Sequence, residues 1–464
     1  MHLLDYIIIG FYLVFIFCFG LWAGRRVKNI KEYAVAHQSY GAFVLFATLS
    51  ASFIGGGFSF GNADTVFNQG LMSATALWGF SLMLLLVSMF ITPHVGEIRN
   101  CISVGDILGQ KLGAKVRLLS GLLGCLVCMG IFAAQIGAIG AVFTQFTPLS
   151  FMEGVFLGCG IVIIYTSFGG INAVVLTDVV QFLLLVVFIP LALFMGVHAL
   201  GGWEEFTAKL PPKFLALPHG FSGWSAWVGL FLTFLIGETL VPPYVQRLLI
   251  AKDIKATQRG TYFSGLLSIP FFIITGLIGV VAFMFDPHIS SNLAMPTVVG
   301  KVLPVGIKGC ACAAIISIVM SSADSFLNAA SVSFIEDIVK PLVDARKKEV
   351  SVKTYLLLTK IISLVIGLGA IMVAMKIQNV LDVLKFAYNF WAPVMLVPLV
   401  FVLMGKKVSP KAFWPAAFTG ASGVILLFVC HQGKLFNIDA LVVATICSAL
   451  VFISLNRLFS RITN

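Results

Sequence analysis

The chain has 464 residues, 59% of them hydrophobic and only 11% charged, with a mean hydropathy of +1.03. Such a composition excludes a soluble globular domain, because runs of about 20 apolar residues cross a hydrocarbon core about 30 Å thick, and here they recur from end to end. The net charge of +11 does not call for nucleic acid, since basic residues collect in alternate loops when a topology is being set.

Hydropathy predicts an all-α polytopic membrane protein with thirteen spans, near 3–24, 42–64, 70–93, 118–147, 150–168, 173–199, 225–250, 260–286, 307–335, 355–377, 380–404, 411–430 and 438–459. The first lacks a basic leader and a small-residue cleavage site and reads as a retained helix. With the N-terminus outside, most of the 30 basic residues fall in cytoplasmic loops. They include Arg25, Arg26, Lys28 and Lys31, then Arg99 to Arg117, then Arg247 to Arg259, then Lys340 to Lys353, with the C-terminus cytoplasmic. The outer loops keep Lys209, Lys213, Lys301, Lys308, Lys376 and Lys434. No soluble domain and no G-x-x-x-x-G-K-[ST] phosphate loop is visible, so ATP is not the expected energy source. Cys125-x-x-Cys128 and Cys310-x-Cys312 sit among apolar neighbours without histidine and read as packing residues.

Four polar stretches interrupt the apolar runs. In 48–64, "TLSASFIGGGFSFGNAD", three successive glycines at about 1 kcal/mol each predict a helix break, whose freed carbonyls are able to coordinate a cation. In 167–181, "SFGGINAVVLTDVVQ", Gly169 and Gly170 form a tight turn and Asp178 lies two turns into the next span. In 235–247, "LIGETLVPPYVQR", Pro242 and Pro243 interrupt a second span beside Glu238. In 320–331, "MSSADSFLNAAS", Ser321, Asp324, Ser325 and Asn328 share one helical stripe of hard oxygen donors that suit a hard cation. Packing alone explains the serines but leaves Asp324 without a partner. Asp178, Glu238 and Asp324 are the acids placed deep in spans, and no arginine is expected there. Two breaks five spans apart point to an inverted-repeat transporter.

These stretches resemble the sodium:solute symporter family across nearly the whole chain. "GGINAVVLTDVVQ" is similar to its G-G-x-x-A-V-x-x-T-D-x-x-Q signature, and "MSSADSFLNAAS" to its hydroxyl-rich [ST]-[ST]-x-x-S-x-x-N-x-x-S segment. The resemblance implies a LeuT-type five-plus-five inverted repeat in one transporter domain, 1–464. A peripheral helix at 3–24 would precede repeats at 42–199 and 225–404, with two peripheral helices at 411–459. It implies a sodium site made by the carbonyls of Ala51, Ile54 and Ile318 and the hydroxyls of Ser321 and Ser322, and a second at Asp178, Ser321, Asp324 and Ser325. Among branches, "SASFIGGGF" and "MSSADS" look most like the choline transporters. The positions aligned with that branch's tryptophan cage read Phe53, Ile131 and Val241, so its cage for a quaternary ammonium is lacking.

The expected function is a sodium-coupled symporter that imports a small organic solute by alternating access through a plasma membrane, of the bacterial inner type. Phe53, Phe58, Gln135, Glu238, Tyr388, Asn389 and Trp391 are the expected solute contacts. Sodium ions, the solute and the lipid bilayer are the expected partners, with no nucleic acid and no obligate protein partner, as a monomer. Alternatives are proton coupling through Asp324, a channel or receptor on the same fold, and an aspartyl protease using Asp178 and Asp324, whose G-x-G-D context is absent.

Overall fold

Helices dominate because a segment in lipid must satisfy its own backbone N–H and C=O groups. The computed structural model describes residues 1–347, 350–376 and 389–462. Among the described residues nine helices are long and apolar enough to cross a membrane, or ten when the bent pair Ala42–Phe53 and Gly57–Gln69 counts as one span. The protein is thus an integral membrane protein.

In chain order the helices are α1 (Leu3–Gly24), a short α2 (Ile30–Val35), the bent pair α3 (Ala42–Phe53) and α4 (Gly57–Gln69), and α5 (Met72–Ile98). A short α6 (Val104–Leu112) leads into α7 (Ala114–Phe146). The run Phe151–Ala199 starts at a capping box in which Ser150 and Glu153 satisfy each other's backbone N–H. It is continuous except at Gly170, whose φ of 54° divides it into α8 (151–169) and α9 (171–199). Then come α10 (Gly220–Ile236), α11 (Pro242–Ile250), α12 (Ile254–Phe285) and α13 (Ala294–Val302). The remainder is α14 (Ile307–Ala345), α15 (Val352–Lys376), α16 (Asn389–Leu403), α17 (Pro410–His431) and α18 (Ala440–Ile462). The fold is all-α, with one small addition: a two-stranded hairpin pairs Lys434–Leu435 with Ile438–Asp439 between α17 and α18.

The helices differ from the hydropathy reading at particular residues. The expected fifth and sixth spans meet at Gly170 with no loop between them, and the expected seventh is split into pieces of 17 and 9 residues. Residues 377–388, in the expected eleventh span, lie outside the described set. The arms of α8 and α9 fold back on each other. Tyr165 and Asp178 are 13 positions apart, about 20 Å along a straight helix, yet the Tyr165 hydroxyl donates to Asp324 at 2.6 Å while Asp178 reaches the same cluster through Arg247 and Ser325.

The middle of the bundle is α14, whose most apolar stretch is 94% buried, against 28% for α17 at the periphery. At its far end the chain buries a polar knot that the sequence did not announce. Ser103 donates to Asp337 at 2.5 Å, Arg117 pairs with Glu336 at 2.9 Å, and Lys340 pairs with Glu336 at 2.6 Å. These carboxylates are buried as well, in addition to Asp178 and Asp324.

Gly170 has two reasons to be glycine. Its backbone is left-handed, and a Cβ there would sit 2.6 Å from both the carbonyl oxygen and the ring of Tyr33. Gly170→Ala is expected to destabilise the protein by about 2 kcal/mol or more, from the left-handed backbone and the overlap together. A lowered thermal midpoint of the purified protein, with Gly160→Ala as an open-space control, checks this.

Candidate functional site

The carbonyls at the end of α3 have lost their helical partners, as the last carbonyls of any helix do. Here the next helix turns away by 62°, so other groups must meet them in mid-membrane. Ser321 donates to the Ala51 carbonyl at 2.9 Å, and Ser322 donates to the Ser52 carbonyl at 3.0 Å. Both hydroxyls also lie against the Ile318 carbonyl of their own helix, at 3.3 and 3.5 Å. The Ile54 carbonyl accepts from Ser59 at 3.3 Å. Ser321 and Ser322 are buried, and a Cβ on Gly55 would stand 2.2 Å from the Ser322 hydroxyl. The absence of a side chain at 55 therefore makes room for this approach. Four of the five expected sodium ligands converge directly; Ile54 stands one residue before the glycine that touches Ser322.

The second expected ion site holds something else. Arg247, which the sequence placed in a cytoplasmic loop, is fully buried in α11. Its Nη2 donates to Asp178 at 2.9 Å, to Ser325 at 2.6 Å and to Ser52, while Nε reaches Thr48 at 3.1 Å and Nη1 the Pro243 carbonyl at 3.1 Å. A guanidinium thus lies where a metal ion was expected among Asp178 and Ser325, and the expectation of no arginine in the spans is corrected. It escaped notice because Pro242 and Pro243 start α11 late, which pulls the "VQR" turn into the bundle. Asp324 has the partner that sequence reasoning could not supply: it accepts from Tyr165 at 2.6 Å and lies 3.0 Å from the Ser325 hydroxyl. One oxygen of Asp178, Oδ1, is buried without a partner among the described residues.

Beside the serine pair lies a cavity of about 260 Å³, lined by Phe53, Phe58, Gln135, Glu238 and Ser322 among others. Four of the expected solute contacts therefore share one wall system. Gln135 is buried, and its Oε1 has no partner among the described residues. Glu238, half-buried, accepts a long hydrogen bond from Tyr244 at 3.4 Å. Ile131 also lines the cavity, whereas Val241 is buried and does not. Phe58 stacks on Phe272 with centroids 5.3 Å apart and meets Phe80 at 4.8 Å, an offset aromatic wall of the sort that quadrupoles favour. Trp391 is a correction: fully buried outside the cavity, its indole N–H donates to the Thr239 carbonyl at 3.4 Å and so braces the α10–α11 break. Asn389 is half-buried and does not line the cavity, and Tyr388 lies outside the described residues.

This arrangement, helices broken in mid-membrane around a small cavity, matches a known architecture. The chain superposes with a TM-score of 0.84 on a Na⁺-coupled sialic acid symporter, at 18% identity, covering 99% of this chain and 98% of that one. The fold is the LeuT type of polytopic helical transporter. Residues 33–420 match the Sodium:solute symporter family, and the chain belongs to that family. Among curated relatives, a high-affinity choline transporter 1 of Caenorhabditis elegans is 25% identical over 452 residues, 90% of this chain and 75% of that protein. A sodium/pantothenate symporter of Haemophilus influenzae is 25% identical over 476 residues, covering 97% of this chain and 95% of its own. The protein is accordingly a sodium-coupled secondary transporter of a small organic solute, and not an enzyme.

Removing one member of a buried ion pair strands the other, at about 3–5 kcal/mol, while replacing both with apolar groups is close to neutral. Arg247→Met is expected to lower the thermal midpoint strongly, and Arg247→Met with Asp178→Leu to regain most of the loss. Additive losses in the double variant would show that the pair does not interact.

Proposed function

We propose that one sodium ion binds between the α3–α4 break and α14, held by the carbonyls of Ala51, Ile54 and Ile318 and the hydroxyls of Ser321 and Ser322, and that it completes the solute cavity beside it. The observation that carries this reading is the convergence of helix-end carbonyls on two buried serine hydroxyls at mid-membrane. Oxygen donors of this kind suit a hard monovalent cation, and unwound carbonyls with helix ends are the usual material of coupling-ion sites in such transporters. Sodium entry then displaces the serine protons from the carbonyls and pins α3 to α14, while rocking of the repeats exposes the cavity to each side in turn.

The set Asp178, Ser321, Asp324 and Ser325 we assign to charge balance instead of a second ion. Counted as ionised, two carboxylates face one guanidinium, and the remaining negative charge lies beside the sodium cage because Ser321 belongs to both groups: its carbonyl accepts from Ser325 at 2.7 Å. A sodium in the cage neutralises that excess. Arg247 also ties α11 to α3, α9 and α14, so any outward swing of α3 has to break its bonds to Thr48 and Ser52.

Phe53, Phe58, Gln135 and Glu238 would hold the solute, with Glu238 receiving an amine. The cavity of about 260 Å³ is smaller than the 300–1,000 Å³ usual for drug-sized ligands, which favours a small solute. Thirteen spans in a five-plus-five inverted repeat, with the N-terminus outside, accord with the fold-back at Gly170, the α10–α11 break and the charge of the loops. Domain limits as read from the sequence and a bacterial inner membrane complete the proposal. Each sodium moving inward across about 100 mV releases about 2.3 kcal/mol, equivalent to about a 50-fold accumulation of solute.

Sodium binding is measurable without knowing the solute, since a ligand of the native state raises its stability with concentration. Sodium is expected to raise the thermal midpoint of the purified protein above that in potassium. Ser322→Ala should raise the sodium concentration needed by tenfold or more, and Asp324→Asn by about threefold. An unchanged sodium titration in Ser322→Ala would remove the site. Screening solutes by the same measurement in sodium and in potassium identifies the substrate, and Glu238→Gln should cut its uptake at least 100-fold.

A further inference from the structure

A second, larger cavity of about 460 Å³ lies on the other side of Gly57, which lines both. Phe58 of the inner cavity and Phe234 of this one are in ring contact, with centroids 5.4 Å apart, so two aromatic rings separate the chambers. The walls of the larger cavity are part apolar, with Leu77, Leu230 and Phe234, and part polar, where Thr65 and Gln69 from α4 face Lys434, Asn437 and Asp439 from the α17–α18 hairpin.

The hairpin is built with some strain. Its two-residue turn, Phe436–Asn437, has positive φ at both positions, 51° and 66°. Asn accepts that conformation, but Phe does not favour it. Phe436 is also 68% exposed. Specific contacts with α10 hold the hairpin in this place. Asn437 donates to the Ser222 hydroxyl at 2.8 Å, Phe436 meets the Phe221 ring at 6.4 Å, and Thr233 donates to Asp439 at 3.0 Å. Lys434 and Asp439 are directly opposite across the strands, where opposite charges ordinarily pair. Among the described residues neither makes an ion pair. The bond from Thr233 holds the carboxylate against α10, and Lys434 lines the cavity beside it.

We propose that this hairpin cavity is an outer docking site for the transported solute, and that the solute is a small zwitterion: Lys434 takes its anionic end and Asp439 its cationic end before it passes the Phe58–Phe234 pair. The proposal rests on the sodium site and topology proposed above and deepens them. The inner cavity then offers the same complement of charge, a carboxylate at Glu238 and a sodium ion behind Ser322. A cation alone would be repelled by Lys434 outside; an anion alone would be repelled by Asp439 outside and by Glu238 inside. Only a molecule carrying both charges is matched at both depths.

The test is a thermal-shift screen of the full-length protein in sodium. The probes are the standard neutral amino acids and glycine betaine, each beside its decarboxylated amine or its acid lacking the amino group. A zwitterion is expected to give the largest shift. Lys434→Gln should weaken its apparent affinity at least fivefold without changing the sodium titration, and Lys434→Arg should restore it. Lys434 is exposed, so an unchanged midpoint without ligand should accompany the substitution. A lone amine or acid giving the largest shift overturns the proposal, as does an unaltered affinity in Lys434→Gln. Failure of the underlying reading looks different: sodium stabilisation would then be absent from the wild type, or Glu238→Gln would transport the zwitterion normally.

Discussion

A carbonyl released from its helix inside a lipid bilayer has no water to turn to, and leaving it bare costs several kcal/mol. The break after Phe53 creates several such carbonyls at once, and the rest of the site follows from providing for them. Ser321 and Ser322 must come from a neighbouring helix, which must therefore run through the middle of the bundle. That explains why α14, with its small side chains, is the most buried span. Glycine at 55 follows as well, because any side chain there would displace the hydroxyl that serves the Ser52 carbonyl. A serine hydroxyl and a bound sodium are alternative solutions to the same deficit. The break is therefore stable without the ion and able to accept it.

Charge follows a similar logic one helical turn away. Burying a carboxylate alone is prohibitive, and a pair is tolerable only when its remaining lone pairs and protons are also satisfied. Arg247 meets that demand: three of its nitrogens reach Thr48, Ser52, Asp178, Ser325 and a backbone carbonyl. Asp324, one step further, relies on Tyr165 and Ser325. Because α8 and α9 double back at Gly170, both arms deliver a residue to this cluster, Tyr165 from one and Asp178 from the other. A left-handed glycine more than one turn from either residue thus positions the acids.

The sequence made the helical class, the break at 55–57 and the serine–aspartate stripe legible, because each depends on local properties: apolar run length, glycine clustering and helical spacing. The convergence of Phe53, Phe58, Gln135 and Glu238 on one cavity was legible through the family resemblance. What escaped depended on long-range packing. Arg247 looked like a topological charge because the loop rule counts arginines by distance from apolar runs, and the two prolines that carry it inward were read only as a break. Tyr165 gave no signal, since an apolar span tolerates tyrosine anywhere that its hydroxyl finds a partner. Trp391 was assigned to the solute by its ring, yet its indole N–H serves the second break, a role that spacing along the chain cannot reveal. The hairpin after α17 is only a few residues long, too short for a period-two pattern to register.

The terminal helices α17 and α18 are largely exposed to lipid, and on packing grounds alone they add little to the core. Their connection gives them a physical role. A hairpin that is strained at Phe436 and held to α10 by Asn437, Asp439 and a ring contact ties both terminal helices to the first arm of that broken span. On its other side α10 approaches α5 closely enough that a Cβ on Gly79 would lie 2.1 Å from the Phe231 carbonyl. α10 is thus packed between α5 and the hairpin, and Lys434 shares a cavity wall with Gln69 and Thr65 on α4. Two helices outside the core in this way contribute charge to a cavity that an arm of each broken span also lines. The break in α3–α4 and the proline break in α10–α11 are alike in one respect, since each has an end held by buried polar bonds: the Ala51 and Ser52 carbonyls to Ser321 and Ser322, and the Thr239 carbonyl to Trp391.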